Sequence, residues 1–174
     1  INVIYRCGML KIGIIGGSGL DNPALLKDPV EVDHETLYGH PSSTIKQGKI
    51  NGVDVALIAR HGREHTIPPS QVNNRANIWA LSEVGCTHII ATTACGSLRE
   101  EIGRGDLVIP DQFIDFTKHR KTSFFESFEP GEMKHTPMAD PFDLKLRNIL
   151  IESATGLNLS FHKSGTVITI EGPR

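Results

Sequence analysis

Three short segments of the chain carry residues suited to binding an oxyanion. They are Gly16-Gly17-Ser18-Gly19, Arg60-His61-Gly62-Arg63-Glu64-His65 and Thr92-Thr93-Ala94-Cys95-Gly96-Ser97. Each follows a short apolar run that is typical of a β-strand, and each supplies backbone N–H groups, hydroxyls or an arginine side chain. If the three strand ends meet, they enclose one inorganic phosphate. Phosphate is therefore a candidate reactant, and the pattern favours phosphorolysis.

The glycine-rich segment lets the backbone turn tightly and approach a ligand without interference from Cβ atoms. Successive N–H groups there can form an anion-binding concavity, to which the Ser18 hydroxyl can add a hydrogen bond. The segment is not a dinucleotide-binding fingerprint, because Asn22 occupies the third glycine position, and it is not a P-loop, because no Gly-Lys-Ser/Thr follows. An ordinary strand-to-helix turn is an equally good interpretation of these residues taken alone.

The arginine-containing segment is the most specific of the three. The guanidinium of Arg60 can hold a phosphate through two parallel hydrogen bonds, which a lysine cannot do. His61 can donate a further hydrogen bond, and Gly62 leaves room for the ligand. A solvated surface turn is the alternative. His61 and His65 have the spacing of some metal-binding pairs, but Gly62 and Pro68-Pro69 disfavour the helix such a pair needs, so no metal is expected.

The threonine-containing segment ends with small residues that leave space for a flat ligand beside the anion. A β-turn capped by threonines is the alternative interpretation. Cys95 is not expected to act as a nucleophile, because phosphate can attack without a covalent enzyme intermediate and no base is identifiable beside the thiol. Cys86 lies in an apolar setting and is predicted to be a small buried side chain.

Alternating strands and helices would position these segments. The apolar runs predict strands over 11–15, 53–59, 88–92, 107–109 and 167–170, and helices over 73–84 and 143–155. This order predicts an α/β domain around a largely parallel or mixed sheet. Ligands bind such sheets at the carboxyl ends of the strands, where the three segments lie. Residues 117–138 are predicted to form a long mobile loop.

Composition limits the remaining possibilities. The chain has 174 residues and a net charge of −2, with no basic run that would indicate nucleic-acid binding. No apolar stretch reaches the roughly 18 residues that a membrane span requires. Three cysteines without metal-ligand spacing predict neither a disulfide framework nor a zinc site, so a reducing cytoplasm is expected. Residues 1–8 are interpreted as a non-native or disordered leader, with Met9 as a candidate natural start.

These motifs together resemble the 5′-methylthioadenosine phosphorylases of the trimeric purine nucleoside phosphorylase superfamily. The resemblance runs from about Met9 to Arg174. The residues that carry it are Gly13-Ile14-Ile15-Gly16-Gly17-Ser18-Gly19-Leu20-Asp21, Ala59-Arg60-His61-Gly62-Arg63-Glu64-His65 through Asn73, Ala76-Asn77-Ile78-Trp79-Ala80-Leu81, Thr92-Thr93-Ala94-Cys95-Gly96-Ser97-Leu98-Arg99-Glu100, Asp111-Gln112-Phe113-Ile114-Asp115 and Thr169-Ile170-Glu171-Gly172-Pro173-Arg174.

The resemblance implies a mixed central sheet flanked by helices and a role for particular residues. Phosphate is expected to be bound by Ser18, Arg60, His61, Thr93 and Ala94. Ala94, Cys95 and Gly96 are expected to border the nucleoside, and His135 to reach the 5′ end of a neighbouring subunit's substrate. Arg60 and His61 are also the expected catalytic residues, acting by electrostatic positioning of the phosphate.

The implied reaction is reversible phosphorolysis of 5′-methylthioadenosine to adenine and 5-methylthioribose-1-phosphate. The resemblance further implies phosphate as co-substrate, no metal or organic cofactor, and a homo-oligomer, either a trimer or a hexamer.

Similar proteins continue past the position of Arg174 with residues that contact the purine and the ribose. Residues 9–174 are therefore expected to be the N-terminal part of a single phosphorylase domain, truncated at the C-terminus, and the isolated chain is expected to be inactive. Two alternatives stay open. In the first, the complete protein is a phosphorylase for another purine nucleoside, such as 5′-methylthioinosine or inosine. In the second, the chain alone is a non-catalytic phosphate-binding or assembly module.

Overall fold

The computed structural model describes residues 9–17, 19–20 and 22–172. The interpretation of residues 1–8 as a leader and the role expected for Ser18 therefore lie outside the described residues. The chain divides into two compact units, one ending at Cys95 and the other beginning at Gly96. The assignment of residues 9–174 to a single domain stays a prediction.

The first unit is built on a five-stranded mixed sheet. Its elements are β1 (Lys11–Gly16), β2 (Lys27–Val32), β3 (Ile45–Ile50), β4 (Val53–Ala59), α1 (Asn74–Glu83) and β5 (His88–Ala91), with short 3-10 helices at Pro23–Leu25 and Pro69–Gln71. The strand order is β2-β3-β4-β1-β5. Strand β1 pairs in parallel with both β4 and β5, whereas β3 pairs antiparallel with β2 and β4. The predicted mixed α/β sheet is confirmed.

Alternation along β4 supplies the core on both faces of the sheet, because successive side chains of a strand point to opposite sides. Ala56 and Ile58 belong to a buried cluster that includes Leu81 of α1. Val55 and Leu57 belong to a second cluster. The half-buried Cys86 packs against the first cluster, and burial raises the pKa of its thiol to about 11.

Helix α1 begins and ends with the signals that its sequence contains. The side chain of Asn73 caps the helix by accepting a hydrogen bond from the N–H of Ala76 at 3.1 Å. At the other end, Gly85 follows with a φ of 88°, a left-handed conformation that favours glycine. The observed helix is therefore one residue shorter at each end than the predicted 73–84, since Asn73 and Val84 are its caps.

Strands β2 and β3 were not predicted from the apolar pattern. Strand β2 contains Pro29 and lies at the edge of the sheet, where a missing backbone N–H is tolerated. Strand β3 contains Gly48, where an added Cβ would lie 2.7 Å from the carbonyl oxygen of Lys27. The turn between β3 and β4 has a positive φ at both Asn51 and Gly52, which is typical of a two-residue β-hairpin turn.

The second unit contains two short parallel strand pairs and one helix. Its elements are β6 (Leu107–Val108), β7 (Gln112–Asp115), α2 (Leu144–Gly156), β8 (Phe161–His162) and β9 (Thr166–Thr169). Strand β6 pairs with β8, and β7 pairs with β9. Within the described part of the chain, no helix or strand interrupts the stretch between β7 and α2, so its prediction as a long loop is confirmed. None of the described helices combines the length and apolar character that crossing a membrane demands.

Several predicted boundaries are wrong by one residue, and two strands of the second unit were missed. The predicted strand 11–15 extends to Gly16, 88–92 ends at Ala91, 107–109 ends at Val108, and 167–170 is Thr166–Thr169. The predicted helix 143–155 is Leu144–Gly156, with Asp143 as its cap. Strands β7 and β8 carry too few alternating apolar residues to be distinguished from loops.

Asp106 immediately precedes β6 and contacts residues at and just before the neighbouring strand β8. Its carboxylate accepts hydrogen bonds from the Ser160 hydroxyl at 2.5 Å, from the N–H of Gly103 at 2.8 Å and from Nε2 of His162 at 3.0 Å. These bonds, that of Ser160 foremost, lower the pKa of Asp106 to about 2. The ionised carboxylate is therefore the form that the folded chain stabilises.

This depressed pKa predicts an acid-dependent loss of stability. The contribution of Asp106 is fully present above the pKa of an unfolded aspartate, about 3.9, and is lost as pH falls towards about 2. We expect Asp106→Asn to lower the unfolding temperature at pH 6 and to reduce the fall in stability between pH 4 and pH 2. Circular dichroism melts of both proteins across this range measure the effect. Parallel curves for the two proteins would contradict it.

Candidate functional site

The carboxyl ends of β1, β4 and β5 lie side by side. In the parallel register, Gly16 is paired with Ala59 and Ile15 with Ala91. The ladder continues one residue beyond the strands, since the N–H of Arg60 donates to Gly16 at 3.0 Å and that of Thr92 donates to Ile15 at 3.1 Å. The structure therefore brings together the beginnings of the three segments that the sequence singled out.

The guanidinium of Arg60 lies between the other two segments. Its Nη1 donates a hydrogen bond to the carbonyl oxygen of Thr92, and its Nη2 lies 3.4 Å from the hydroxyl of Thr93. Burial lowers the pKa of Arg60 below its ordinary value, but arginine stays charged at neutral pH because that ordinary value is so high. All these partners are uncharged groups of the described residues. The positive charge is consequently available to an anion.

Gly17 brings the glycine segment into close contact with the arginine. A Cβ at this position would lie 2.6 Å from Nη2 of Arg60 and 3.0 Å from the carbonyl oxygen of Thr92. Only glycine leaves room for the guanidinium here. The N–H of Gly17 donates to the hydroxyl of Thr92 at 3.2 Å, so this N–H is satisfied within the protein.

His61 is held in one tautomer by a backbone carbonyl. Its Nδ1 lies 2.9 Å from the oxygen of Ile67, and a carbonyl can only accept, so Nδ1 carries the hydrogen. In the neutral ring, Nε2 is then an acceptor, and it lies 3.3 Å from Nε of Arg60. A neutral His61 therefore orients the arginine. It donates from Nε2 to an anion only as the imidazolium.

The residues that follow β5 are open to solvent. Thr93, Ala94 and Cys95 are all exposed, and only Thr93 is within hydrogen-bonding distance of the arginine. Cys95 carries a free thiol. Their exposure on the carboxyl side of the sheet leaves them accessible to a ligand that is bound beside Arg60.

Gly96 and His135 belong to the second unit, and both are exposed. His135 lies in the long loop, the start of which is fixed by Glu171. The carboxylate of Glu171 accepts backbone N–H bonds from Lys118 at 2.8 Å and from His119 at 3.1 Å. These bonds, that of Lys118 foremost, hold the pKa of Glu171 below its usual range.

Thr92 is the residue of this region to which the sequence attached no role. It was recognised only as the first member of a run of hydroxyl-bearing residues. The structure shows it in contact with Ile15, Gly17 and Arg60. The available signal was its position directly after β5, because that position faces the neighbouring strand end in a parallel sheet.

The described residues also contain a surface depression within the second unit, lined by residues that include Asp115, Lys118 and Glu171. No group of three or more His, Cys, Asp or Glu side chains in this part of the chain is arranged to hold a metal ion. A surface depression lined by residues that include Lys11, Lys27 and Asp54 lies at the amino ends of β1 and β4. That is the opposite end of the sheet from Arg60.

A family model and the individual relatives of the chain indicate the same family. The family model described as the Phosphorylase superfamily matches residues 11–174. The S-methyl-5′-thioadenosine phosphorylase of Danio rerio is 54% identical over 95% of the chain, and that of Saccharolobus solfataricus is 52% identical over 94%. The chain spans about 60% of the length of these curated relatives.

Solved structures give the same result for the fold. The methylthioadenosine phosphorylase from Schistosoma mansoni in complex with tubercidin superimposes with a TM-score of 0.86, at 43% identity, over 95% of this chain and 64% of that one. The apo form of the same enzyme gives a TM-score of 0.87 at 42% identity, with coverage of 95% and 65%. The resemblance and the mixed sheet flanked by helices that were predicted from the sequence are confirmed.

Proposed function

Because the chain belongs to the phosphorylase superfamily, we propose that the complete protein catalyses the reversible phosphorolysis of 5′-methylthioadenosine. The products are adenine and 5-methylthioribose-1-phosphate. The observation that carries the proposal is the charged guanidinium of Arg60, held by uncharged partners beside the ends of β1 and β5. The names of the relatives support the choice of nucleoside.

Arg60 is the proposed anchor of the phosphate. Its guanidinium binds two phosphate oxygens, while the hydroxyls of Ser18 and Thr93 and the backbone of Ala94 orient the others. His61 completes the site. In the neutral form it holds Nε of Arg60 in place, and as the imidazolium it adds a hydrogen bond to the phosphate.

Loss of the purine builds positive charge on the sugar, as in the oxocarbenium-like transition states of glycoside hydrolysis. A phosphate anchored beneath C1′ stabilises that charge and then attacks the same carbon. The C1′–N9 bond breaks with its electron pair on the purine, and a bond from a phosphate oxygen to C1′ forms. Arg60 and His61 therefore act by positioning and by electrostatics, so the step needs no covalent enzyme intermediate.

The nucleoside is proposed to lie against Ala94, Cys95 and Gly96, whose small side chains suit a flat base. His135 is proposed to contact the 5′ substituent of a substrate bound to a neighbouring subunit, in a trimer or a hexamer. Phosphate is the co-substrate, and no metal or organic cofactor takes part. The proposed location is the cytoplasm, in agreement with the small number of cysteines.

A substrate panel on the complete protein tests the proposed activity. We expect release of adenine from 5′-methylthioadenosine that depends on added phosphate and exceeds the rates with adenosine, 5′-methylthioinosine and inosine. Preferential cleavage of 5′-methylthioinosine or inosine would instead support a phosphorylase for another nucleoside. Phosphate binding in calorimetry without cleavage of any nucleoside would support a non-catalytic binding module.

A further inference from the structure

Thr92 connects the strand ends through three polar groups. Its N–H donates to the carbonyl of Ile15 at 3.1 Å, which extends the β1–β5 ladder. Its own carbonyl accepts from Nη1 of Arg60, and its hydroxyl accepts the N–H of Gly17 at 3.2 Å. One residue thus holds both the arginine and the glycine bend.

We propose that Thr92 is a positioning residue that sets the orientation of Arg60 and Gly17 for phosphate, an inference that rests on the proposed function. A guanidinium is a planar fork, and fixing one of its nitrogens fixes the directions of the other N–H groups. The Thr92 carbonyl fixes Nη1 of Arg60 in this way. Nε of the same group is held near His61, so the plane is defined at two points.

The hydroxyl of Thr92 acts on the other side of the site. By accepting the N–H of Gly17 it sets the direction in which the glycine bend leaves β1. The bend must keep this position because Gly17 lies in close contact with both the guanidinium and the Thr92 carbonyl. Thr92 is β-branched, which restricts its χ1 angle and so restricts the direction of its hydroxyl. It is also less exposed than Thr93, which suits a residue that touches protein groups and not ligand.

The test is the Thr92→Val variant of the complete protein, which keeps the size, the branching and the carbonyl but loses the hydroxyl. We expect the KM for phosphate and the phosphate dissociation constant in calorimetry to rise by about tenfold, because the N–H of Gly17 loses its partner. The KM for the nucleoside should change by less than about twofold, because no nucleoside contact is altered. The Thr92→Ser variant keeps a hydroxyl and should restore phosphate binding.

A double-mutant comparison with Arg60 distinguishes a positioning role of Thr92 from a general loss of protein stability. The hydroxyl of Thr92 holds Gly17, which lies against Nη2 of Arg60, so a shift of the glycine bend also disturbs the guanidinium. On an Arg60→Lys background, where the fork is absent, Thr92→Val should therefore weaken phosphate binding by clearly less than on the wild-type background. Equal effects on both backgrounds would overturn the proposal. So would Thr92→Val binding phosphate as tightly as the wild type, or Thr92→Ser behaving like the valine variant.

The two proposals fail in different ways. A wild-type protein that binds phosphate but cleaves no nucleoside overturns the proposed function, whereas the calorimetric comparison of the Thr92 variants still decides the positioning role. A wild-type protein that binds no phosphate overturns both. Active wild-type protein with unchanged phosphate binding in Thr92→Val overturns the positioning role alone.

Discussion

Replacing Arg60 by alanine in the complete protein should lower kcat/KM for phosphorolysis by about 30- to 1,000-fold. This corresponds to about 2–4 kcal/mol of transition-state stabilisation, as for the removal of a preorganised charged donor. The guanidinium is a charged group at the converging strand ends, and its hydrogen-bond partners among the described residues are His61, Thr92 and Thr93. Its loss removes the cation that anchors the attacking phosphate. Steady-state kinetics with phosphate and 5′-methylthioadenosine varied separately measure the effect.

Arg63 provides the matched control, because it lies three residues further along the same segment. Its Nη2 lies 3.0 Å from the hydroxyl of Thr44 and 3.6 Å from a carboxylate oxygen of Glu31, away from the contacts of Arg60. Arg63→Ala should therefore keep kcat/KM within about threefold of the wild type, as expected for an exposed ion pair. An Arg60→Ala enzyme that is as active as the Arg63→Ala enzyme would contradict the role of Arg60 as the phosphate anchor.

The strands that position the candidate site were predictable because they form the most buried part of the sheet. β1 lies between β4 and β5, so it reads as a short continuous apolar run that ends at two glycines. β4 is buried over most of its length, which makes its pattern equally clear. Parallel strands place their carboxyl ends together, so the meeting of the three segments follows from strand order alone.

The elements missed by sequence analysis lack this burial. β2 is mostly exposed and contains Pro29, and β3 is interrupted by Gly48. An edge strand that contains charged residues and a proline can still pair in a sheet, but its sequence lacks the apolar pattern by which a strand is predicted. These strands complete the sheet on the side away from β5, so their omission left the predicted site intact.

The orientations of the side chains in the site could not be predicted from residue types and spacing. The tautomer of His61 depends on the carbonyl of Ile67, which reaches it through the turn that follows β4. The role of Thr92 depends on its contacts with Arg60 and Gly17, which are 32 and 75 positions away in the sequence. Residue types and spacing indicated which groups could bind an anion. Which of these groups contact one another depends on the three-dimensional fold.

Gly17→Ala should separate an effect on activity from an effect on stability. The added Cβ would meet Nη2 of Arg60 at 2.6 Å and the backbone carbonyl oxygen of Thr92 at 3.0 Å. The guanidinium is the end of a flexible side chain that can move away, and the carbonyl needs to shift by only a few tenths of an ångström. The protein should therefore keep its fold, with a melting temperature within a few degrees of the wild type. The displaced guanidinium can no longer meet the phosphate, so the KM for phosphate should rise by about tenfold or more, given the usual strength of charged hydrogen bonds.

Gly156→Ala is the matched control for this substitution. Gly156 is the last residue of α2, and a Cβ there would have no heavy atom within 4 Å. That variant should keep the wild-type KM for phosphate and at least the wild-type stability, because alanine favours a helix more than glycine does. If Gly17→Ala also kept the KM for phosphate within about twofold of the wild type, a ratio worth less than 1 kcal/mol, then the observed orientation of Arg60 would not be the one that binds phosphate. Measuring the two glycine variants side by side thus tests whether the close approach between Gly17 and Arg60 serves the anion or only the packing of the strand ends.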